Sequence, residues 1–334
     1  MKRVLVTGGT GVVGAWVVRS FVDRDITPVI FVRGQTNAIG QAINGHLEDK
    51  LLWAFGDMLE QASLEDAIRT HAVDAVVHMA SAKPWQIEAP FVETPNLSLG
   101  MQQIAIGTLN VLEAARRAGI QRVVYASSKA VFDDVKGVYG PPDYRPLPPD
   151  YPYDPHMVYG IGKVSAEMLG RYYARTYGTE FVSIRFASSY GPLKRGPTGP
   201  SGPEALIKAA VTGQPVRIRR FANGQRDDYV YNKDLGEAFA LATLAERPAH
   251  TFYNVGAGRG YDHDDFAAAI LRVFPKAHVE FNAAAPHHPA LAITDRARCV
   301  MDNTLATRDF GYHPRYADLA DGFTDFLHEE RRFG

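Results

Sequence analysis

Short, continuous apolar runs recur along the chain, and longer stretches with helical periodicity separate them. A short run without alternating polar residues is typical of a strand that is buried on both faces of a sheet. Because such runs alternate with amphipathic helices, the pattern predicts an α/β protein with a doubly wound parallel sheet and helices on both faces. The predicted strands are Val4–Val6, Val29–Val32, Leu51–Ala54, Ala75–His78, Val123–Ala126, Phe181–Arg185 and Phe252–Val255. The predicted helices include Val12–Val22, Leu64–His71, Ile104–Ala118 and Val158–Tyr177.

Two segments interrupt this alternation and indicate how the chain is organised. Gly137–Asp154 is rich in Pro and Tyr, and Gly191–Pro203 is dense in Gly and Pro. The first has the composition of a polyproline ligand, but it lies within one folded unit, so a loop is the better interpretation. The second marks the point where the chain leaves the sheet, and 334 residues accommodate about two domains. The predicted sheet domain comprises 1–187 and 232–255, and the predicted smaller, discontinuous lobe comprises 188–231 and 256–334.

The turn after the first strand carries the first candidate chemistry. Gly8, Gly11 and Gly14 follow Val4–Val6 in a GxxGxxG spacing and lead into a predicted helix. Glycines at these positions allow a tight turn, a close approach to a pyrophosphate and close packing of the helix, whose N-terminus favours an anion. A glycine triplet also serves purely steric turns, so the motif alone is a weak signal. Its place directly after the first apolar strand favours a Rossmann-type dinucleotide site.

Composition narrows the possible partners. The 36 Lys and Arg residues balance 37 Asp and Glu residues, so no overall charge attracts nucleic acid or an anionic membrane, and we expect a small-molecule substrate. The strand that starts at Arg3 leaves no room for the apolar region of a signal peptide, and the single cysteine, Cys299, excludes an intramolecular disulfide. Both observations favour the cytoplasm. The adjacent histidines of Pro286–Pro289 have no cysteine partners, so no metal site is expected.

Tyr159 and Lys163 form a second candidate constellation. They are four residues apart on a predicted helix, so their side chains share one face. An ammonium beside a phenol favours the phenolate and lowers its pKa toward the range of an acid-base catalyst, although the same spacing also occurs in exposed pairs without a catalytic role. Ser127 and Ser128 end the predicted strand Val123–Ala126, at the sheet edge where doubly wound folds bind ligands. A hydroxyl there can stabilise a substrate oxygen, and serine also ends strands for structural reasons.

With these residues assembled, nearly the whole chain resembles the extended short-chain dehydrogenase/reductase superfamily, the group of the NAD-dependent epimerases and dehydratases. The resemblance is carried by Thr7–Gly14, Val77–Ser81, Ala126–Phe132 and the Tyr159 and Lys163 pair. It implies the fold, hydride chemistry at a nicotinamide, and a catalytic group of Ser128, Tyr159 and Lys163. It implies cofactor contacts from Gly8, Gly11, Val12, Val13, Gly14, Asp57, Met58, Met79, Ala80, Ser81, Ser127, Tyr159, Lys163 and Phe186. It implies substrate contacts from Lys83, Lys129, Ser188 and Arg226.

The chain departs from the pattern of this family at several positions. Ile104 stands where an asparagine is usual, which argues against a proton or water relay through that side chain, and Ser188 replaces a second asparagine. Asp227 stands where an arginine often holds a nucleotide diphosphate, and a second such arginine is out of register, although Arg296 and Arg298 are close. A diphosphate needs matching positive charge, so we expect a substrate that is not a nucleotide-diphosphate sugar, or one that is weakly held.

The end of the second predicted strand bears on the choice of cofactor. Enzymes that select NAD usually place an acid there to accept hydrogen bonds from the adenosine ribose. This chain has Val32 followed by Arg33, and an arginine can hold the 2′-phosphate of NADP, as related dihydroflavonol reductase-like proteins do. The sequence therefore predicts an NAD(P) enzyme that favours NADP, with a surface arginine that binds no ligand as the alternative.

The leading functional prediction is an NAD(P)-dependent dehydrogenase or reductase that acts on a hydroxyl or carbonyl carbon of a small, sugar-derived substrate. The alternative is a sugar-nucleotide epimerase or dehydratase with tightly bound NAD. A third hypothesis, a catalytically idle cofactor sensor, is disfavoured because Ser128, Tyr159 and Lys163 are all present. Related enzymes commonly form homodimers through the two helices that correspond to Ile104–Ala118 and Val158–Tyr177, so a homodimer is expected.

Overall fold

The computed structural model describes residues 1–34, 37–82, 95–194, 202–220, 225–282 and 298–333. Within these residues the strands are β1 (Arg3–Thr7), β2 (Thr27–Val32), β3 (Leu52–Phe55), β4 (Ala75–His78), β5 (Arg122–Ala126), β6 (Glu180–Phe186), β7 (Ser188–Tyr190), β8 (Val216–Arg219), β9 (Asp227–Tyr231), β10 (Phe252–Val255), β11 (Gly260–Tyr261) and β12 (Val279–Asn282). The α-helices are α1 (Gly14–Val22), α2 (Ala38–Asn44), α3 (Gln61–Thr70), α4 (Leu97–Met101), α5 (Gly107–Arg117), α6 (Val158–Tyr177), α7 (Pro203–Val211), α8 (Asn232–Leu244), α9 (His263–Val273), α10 (Thr304–Phe310) and α11 (Leu319–Phe333). A π-helical turn, Gln102–Ile106, joins α4 to α5, and short 3-10 turns cover Gly45–Lys50, Lys129–Val131 and Gly137–Tyr139.

The main sheet has seven strands in the order β10-β6-β5-β4-β1-β2-β3, and every neighbouring pair in it is parallel. Each of the seven apolar runs predicted from the sequence forms one of these strands. The strand order reverses between β1 and β4, where Thr7 pairs with both Phe31 and His78. This arrangement confirms the predicted Rossmann-type sheet and locates its ligand-binding edge at the ends of β1 and β4.

Alternation along β1 explains why helices cover both faces of the sheet. Val4 and Val6 belong to one hydrophobic core, together with residues of α1 and α8, while Leu5 belongs to a second core with residues of α3, α5 and α6. Successive side chains of a strand point to opposite faces, so one continuous apolar run supplies both cores.

Residues at the helix ends explain where two of the helices begin and end. Asp262 accepts hydrogen bonds from the amides of Asp264 and Asp265 and forms a capping box with Asp265 at the start of α9. The long helix α6 ends at Gly178, whose φ of 72° is the left-handed conformation that glycine adopts most easily. The helix predicted over Ile104–Ala118 differs, because a π-helical turn precedes the regular helix.

A smaller layer lies beyond the main sheet. It contains a three-stranded sheet, β11-β9-β7, a parallel pair, β12-β8, and a core of its own that includes Tyr190, Tyr231 and Phe323. Met301 and Phe310 from the C-terminal part pack into the first core of the main sheet. Among the described helices, none combines the length and the apolar character needed to cross a membrane.

Candidate functional site

A cleft opens where β1, β2, β3 and β4 end, at the point where the strand order reverses. Doubly wound sheets bind their ligands at this position. The predicted cofactor residues that line the cleft are Gly8, Gly11, Arg33, Asp57, Met58, Met79, Ala80 and Ser81. The other lining residues, which were not among the predicted cofactor contacts, are Thr7, Thr10, Phe31, Val32, Gly34, Asn37, Gly56 and Gln103.

The glycine turn at the floor of this cleft fits a dinucleotide. Gly8 has a φ of +70°, and a Cβ there would lie 2.7 Å from the backbone nitrogen of Ala80. A Cβ at Gly14 would lie 2.2 Å from the carbonyl oxygen of Gly8, so backbone packing requires glycine at both positions. Helix α1 begins without a side-chain cap from Val13 and without an acidic residue in its first turn. The N–H groups of Ala15 and Trp16 already donate to the carbonyl oxygens of Gly11 and Val13, so what favours an anion such as a pyrophosphate here is the positive end of the helix dipole, which no acidic side chain offsets.

The remaining predicted cofactor residues lie outside the cleft lining. Val12, Val13 and Gly14 form the entry into α1, and Phe186 packs against Phe239 with ring centres 6.3 Å apart. Ser127 is buried, and within the described part of the chain its hydroxyl has no hydrogen-bond partner.

Ser128, Tyr159 and Lys163 come together beside the end of β5. The Ser128 and Tyr159 hydroxyls are hydrogen-bonded to each other, and Ser128 Oγ accepts from the backbone N–H of Ala130 at 3.1 Å. Lys163 Nζ donates to the carbonyl oxygen of Ala126 at 2.6 Å and lies 5.5 Å from the centre of the Tyr159 ring. The structure thus brings together the three residues that the sequence nominated for catalysis, and it pairs Ser128 rather than Ser127 with the tyrosine.

Burial dominates the electrostatics of this group. It raises the pKa of the Tyr159 phenol to about 12, and the hydrogen bond with Ser128 offsets part of that rise. It lowers the pKa of the Lys163 ammonium to about 7, and the carboxylate of Glu167 offsets part of that fall. Tyr159 therefore holds its proton at neutral pH, and additional positive charge nearby is needed before it can act as a base.

A buried ion pair anchors α6 one turn beyond the lysine. The guanidinium of Arg185 donates to the two carboxylate oxygens of Glu167 at 2.8 and 2.7 Å. The hydroxyls of Tyr153 and Ser183 each donate to the same carboxylate at 2.8 Å. Because Glu167 follows Lys163 by one helical turn, this network fixes the position of the lysine relative to β6.

The π-helical turn brings an apolar side chain to Tyr159. Ile104 is buried and packs with Ala82 and the Tyr159 ring, and a Cβ at Gly162 would lie 3.1 Å from it. An isoleucine side chain has no hydrogen-bonding atom. It therefore cannot pass on a proton or hold a water, which agrees with the prediction that no relay runs through position 104.

Two of the predicted substrate residues meet at Asp227. Lys129 Nζ lies 2.5 and 2.6 Å from the two carboxylate oxygens of Asp227, and the Ser188 hydroxyl donates to the same carboxylate at 2.9 Å. Asp227 and the Lys129 side chain are largely buried. The acid at position 227 is therefore neutralised by the residue that directly follows Ser128.

The other candidate residues are placed differently. Arg226 forms an ion pair with Asp262 at 3.0 Å and is not part of the group that Lys129 and Ser188 form with Asp227. Lys83, Arg296 and the histidines of Pro286–Pro289 lie outside the described residues, while Arg298 is buried.

One group of possible metal ligands occurs elsewhere. Among the described residues, Asp134, Asp154 and His156 bring ligand atoms within 4.8 Å of one another. This cluster is largely exposed, and Lys136 Nζ already lies 2.5 Å from the Asp134 carboxylate. Exposed acidic groups that are paired in this way give no specific indication of a metal.

Comparison with known proteins identifies the family. A sequence profile described as the NAD dependent epimerase/dehydratase family matches residues 4–256. The chain belongs to this family. A UDP-glucose 4-epimerase from Mycolicibacterium smegmatis is 31% identical over 330 residues, which cover 96% of each chain. A dTDP-glucose 4,6-dehydratase from Streptomyces niveus is 27% identical over 344 residues, which cover 97% of this chain and 91% of that one.

A solved structure supports the same fold. The UDP-glucuronic acid 4-epimerase from Bacillus cereus, in complex with UDP-glucuronic acid and NAD, matches with a TM-score of 0.79 and 19% identity, over 99% of this chain and 100% of that one. Family membership confirms the resemblance predicted from the motifs and the prediction of an NAD(P)-dependent enzyme.

Sequence reasoning missed part of the cleft wall. Thr7 belongs to the motif Thr7–Gly14 but was not among the predicted cofactor contacts, although its place at the end of β1 could have indicated one. Asn37 caps α2, which has too weak an apolar pattern to be predicted. Gln103 reaches the cleft from the π-helical turn, and no sequence signal indicates that turn.

Proposed function

We propose that this enzyme transfers a hydride between the nicotinamide of NAD(P) and a hydroxyl or carbonyl carbon of a small, sugar-derived substrate. The observation that carries the proposal is the hydrogen-bonded Ser128 and Tyr159 pair with Lys163 behind it, beside a cleft that fits a dinucleotide. Family membership supports the same chemistry. The bound nicotinamide would supply the hydride acceptor or donor.

The roles proposed for the three residues follow from their environment. Tyr159 holds a proton at neutral pH and would donate it to the oxygen of a carbonyl substrate during reduction. Ser128 would hydrogen-bond the same substrate oxygen and keep it close to the phenol. Lys163, when protonated, would favour the phenolate that remains, because an adjacent positive charge lowers a phenol pKa.

We further propose that the enzyme favours NADP. Arg33 is exposed at the end of β2 and lines the cleft beside Gly34 and Asn37, where the adenosine ribose would lie in a doubly wound fold. Its guanidinium could hold a 2′-phosphate. The B. cereus relative was solved with NAD, so NAD is the competing cofactor. Titration of both cofactors into cofactor-free protein decides: tighter NADP binding that Arg33→Ala abolishes supports the proposal, and tighter NAD binding that Arg33→Ala leaves unchanged contradicts it.

The substrate proposal rests on charge. Lys129 and Asp227 form a neutral pair near Ser128, and Arg226 is occupied by Asp262. A diphosphate carries about two negative charges that the protein must match, and each charged hydrogen bond contributes about 1.5–3 kcal/mol. Because Arg226 is committed to Asp262 and Lys129 to Asp227, these described cations support a substrate that lacks a diphosphate.

A sugar-nucleotide epimerase or dehydratase is the second candidate, because the relatives named above carry those activities. Calorimetry with UDP and dTDP, compared with free sugars and sugar acids, distinguishes the two. Micromolar binding of a nucleoside diphosphate that Arg226→Ala or Arg298→Ala abolishes would favour the epimerase. The purified protein gives a second indication: an epimerase tends to retain its dinucleotide, whereas a dehydrogenase must exchange it in each turnover.

We also propose a homodimer formed through α5 and α6. Helix α6 exposes the large apolar or aromatic side chains of Ile161, Tyr172 and Tyr177, and Ile106 is exposed immediately before α5. Sedimentation of the wild type and of Ile161→Glu tests the proposal, since a charge in place of an exposed apolar side chain on α6 should shift such a dimer toward monomer. The predicted division into two lobes and the cytoplasmic location stay predictions.

A further inference from the structure

His78, the last residue of β4, is completely enclosed between the cofactor cleft and α5. Its Nδ1 lies 2.7 Å from Thr7 Oγ1, and its Nε2 lies 3.2 Å from Thr108 Oγ1. The residue is 1% exposed, and its ring centre is 5.6 Å from that of Tyr125. His78 does not line the cleft, so it has no direct part in the proposed chemistry.

The proton positions at the first end of this chain are determined by the neighbouring backbone. The N–H group of Ala80 donates to Thr7 Oγ1 at 3.2 Å, and that of Met79 is shared between Thr7 Oγ1 at 3.2 Å and the Thr7 carbonyl oxygen at 3.1 Å. A backbone N–H can only donate, so of the three groups described around Thr7 Oγ1 only His78 Nδ1 can accept the proton of the hydroxyl. His78 Nδ1 must therefore be the acceptor of that bond.

The second end leads to the same assignment independently. Thr108 Oγ1 lies 2.6 Å from the carbonyl oxygen of Ile104, and a carbonyl oxygen can only accept. Thr108 donates its proton to Ile104, so its oxygen accepts from His78 Nε2. Both ends require a neutral imidazole with the proton on Nε2. Burial, helped by the charge of Lys163, lowers the pKa of His78 to about 3, which agrees with a neutral ring.

This directed chain joins two walls of the active site. At one end, Thr7, Met79 and Ala80 line the cofactor cleft, and Thr7 precedes the first glycine of the turn. At the other end, Ile104 belongs to the π-helical turn and packs against Tyr159. If the proton were on Nδ1, two donors would face each other at Thr7 and two acceptors would face each other at Thr108. An imidazolium, which carries a proton on both nitrogens, would also place two donors against each other at Thr7.

We propose that His78 is a positioning residue, held as the neutral Nε2–H tautomer, that sets the glycine turn of the cofactor cleft against the π-helical turn beneath Tyr159. This positioning role requires only that the protein binds NAD(P). It does not depend on which substrate or which reaction direction is correct. A histidine suits this place because one ring nitrogen accepts while the other donates, across a gap that a shorter polar side chain cannot span.

The first test is the tautomer itself. Long-range proton–nitrogen correlation spectra of full-length protein labelled at histidine nitrogens, with His78 assigned by its loss in His78→Gln, report which ring nitrogen carries the proton. We expect a protonated Nε2 and an unprotonated Nδ1 at neutral pH. A proton on Nδ1, or on both nitrogens, overturns the proposal. If His78→Gln does not fold, the His78 signals can be assigned instead as the histidine nitrogen signals that change selectively in Thr108→Val.

The second test separates positioning from stability. Thr108→Val breaks the chain and keeps His78, and Thr243→Val is the matched control, because the buried Thr243 hydroxyl makes the same bond to a carbonyl four residues earlier, at 2.7 Å, in α8. We expect Thr108→Val to weaken NAD(P)H binding, measured by nicotinamide fluorescence, about tenfold. We expect Thr243→Val to change the NAD(P)H affinity less than about twofold. Both variants should lose similar thermal stability. Equal NAD(P)H affinity in the two variants overturns the positioning role.

Discussion

Lys163 makes the folded protein sensitive to pH, because the lysine that the proposed chemistry needs is almost completely buried. Its side chain is 2% exposed, and Nζ has the carbonyl oxygen of Ala126 as a hydrogen-bond acceptor at 2.6 Å. Burial lowers its pKa from 10.5 to about 7. We predict that Lys163→Met removes a specific pH dependence of the free energy of unfolding, whatever its effect on turnover.

The sign follows from proton binding. Between about pH 7 and pH 10.5 the unfolded chain carries a proton on this lysine and the folded protein does not, so stability rises with pH across that window. Below pH 7 both states are protonated, and the group contributes a constant penalty. Each pH unit within the window corresponds to about 1.4 kcal/mol, so the wild type should gain about 2–3 kcal/mol from Lys163 between pH 7 and pH 9.

Urea unfolding of the wild type and of Lys163→Met at pH 7, 8 and 9 measures this gain as a difference between two curves. The lost hydrogen bond to Ala126 and the lost packing are the same at every pH, so they cancel in the slope. Lys276→Met, at an exposed lysine, is the matched control and should run parallel to the wild type. Parallel curves for Lys163→Met as well would show that the lysine keeps an ordinary pKa, and the electrostatic account of the site would be wrong.

Three further predictions concern the cleft and its supports. Tyr159→Phe should lower turnover about 10²–10⁴-fold while NAD(P)H affinity stays within about twofold, and wild-type turnover on an identified substrate would exclude the proposed acid-base role. Glu167→Gln should destabilise the protein by about 3–5 kcal/mol in urea unfolding, because the buried guanidinium of Arg185 loses its charged partner, and a loss below 1 kcal/mol would contradict this. Gly14→Ala should abolish measurable NAD(P)H binding, since its Cβ would lie 2.2 Å from the carbonyl oxygen of Gly8; intact binding would mean that the turn can relax.

The sequence predicted the main sheet well because its strands are buried on both faces. A continuous apolar run such as Ala75–His78 supplies side chains to the cores on both faces, so it fits a central strand of the sheet. Strands and helices that alternate along the chain are compatible with only a few sheet topologies. The proximity of the three proposed catalytic residues was also predictable, since Tyr159 and Lys163 share one helix face and Ser128 ends a neighbouring strand. In each case the signal is local in the sequence and the contact follows from regular geometry.

Features that depend on irregular backbone were not predictable. The π-helical turn at Gln102–Ile106 looks like ordinary helix in the hydrophobic pattern, yet the structure places Gln103 on the cleft and Ile104 against Tyr159. His78 reads as the end of a strand, and its two hydrogen bonds depend on residues 71 and 30 positions away in sequence. Spacing rules describe regular elements, so they carry no information on such long-range pairs.

Position 227 shows how a single long-range partner changes a functional inference. From the sequence alone, Asp227 in place of an arginine suggests repulsion of a diphosphate, but the structure pairs it with Lys129, 98 residues earlier, so the unpaired negative charge does not exist. Repulsion is therefore the wrong reason to expect a different substrate. A different reason remains, because a diphosphate at this position would compete for Lys129 with a carboxylate that holds it at 2.5 and 2.6 Å, whereas an arginine at 227 would offer its charge without that competition. A polar, uncharged substrate group can instead hydrogen-bond the pair as it stands, and this favours the hydroxyls of a small sugar derivative over the phosphates of a sugar nucleotide.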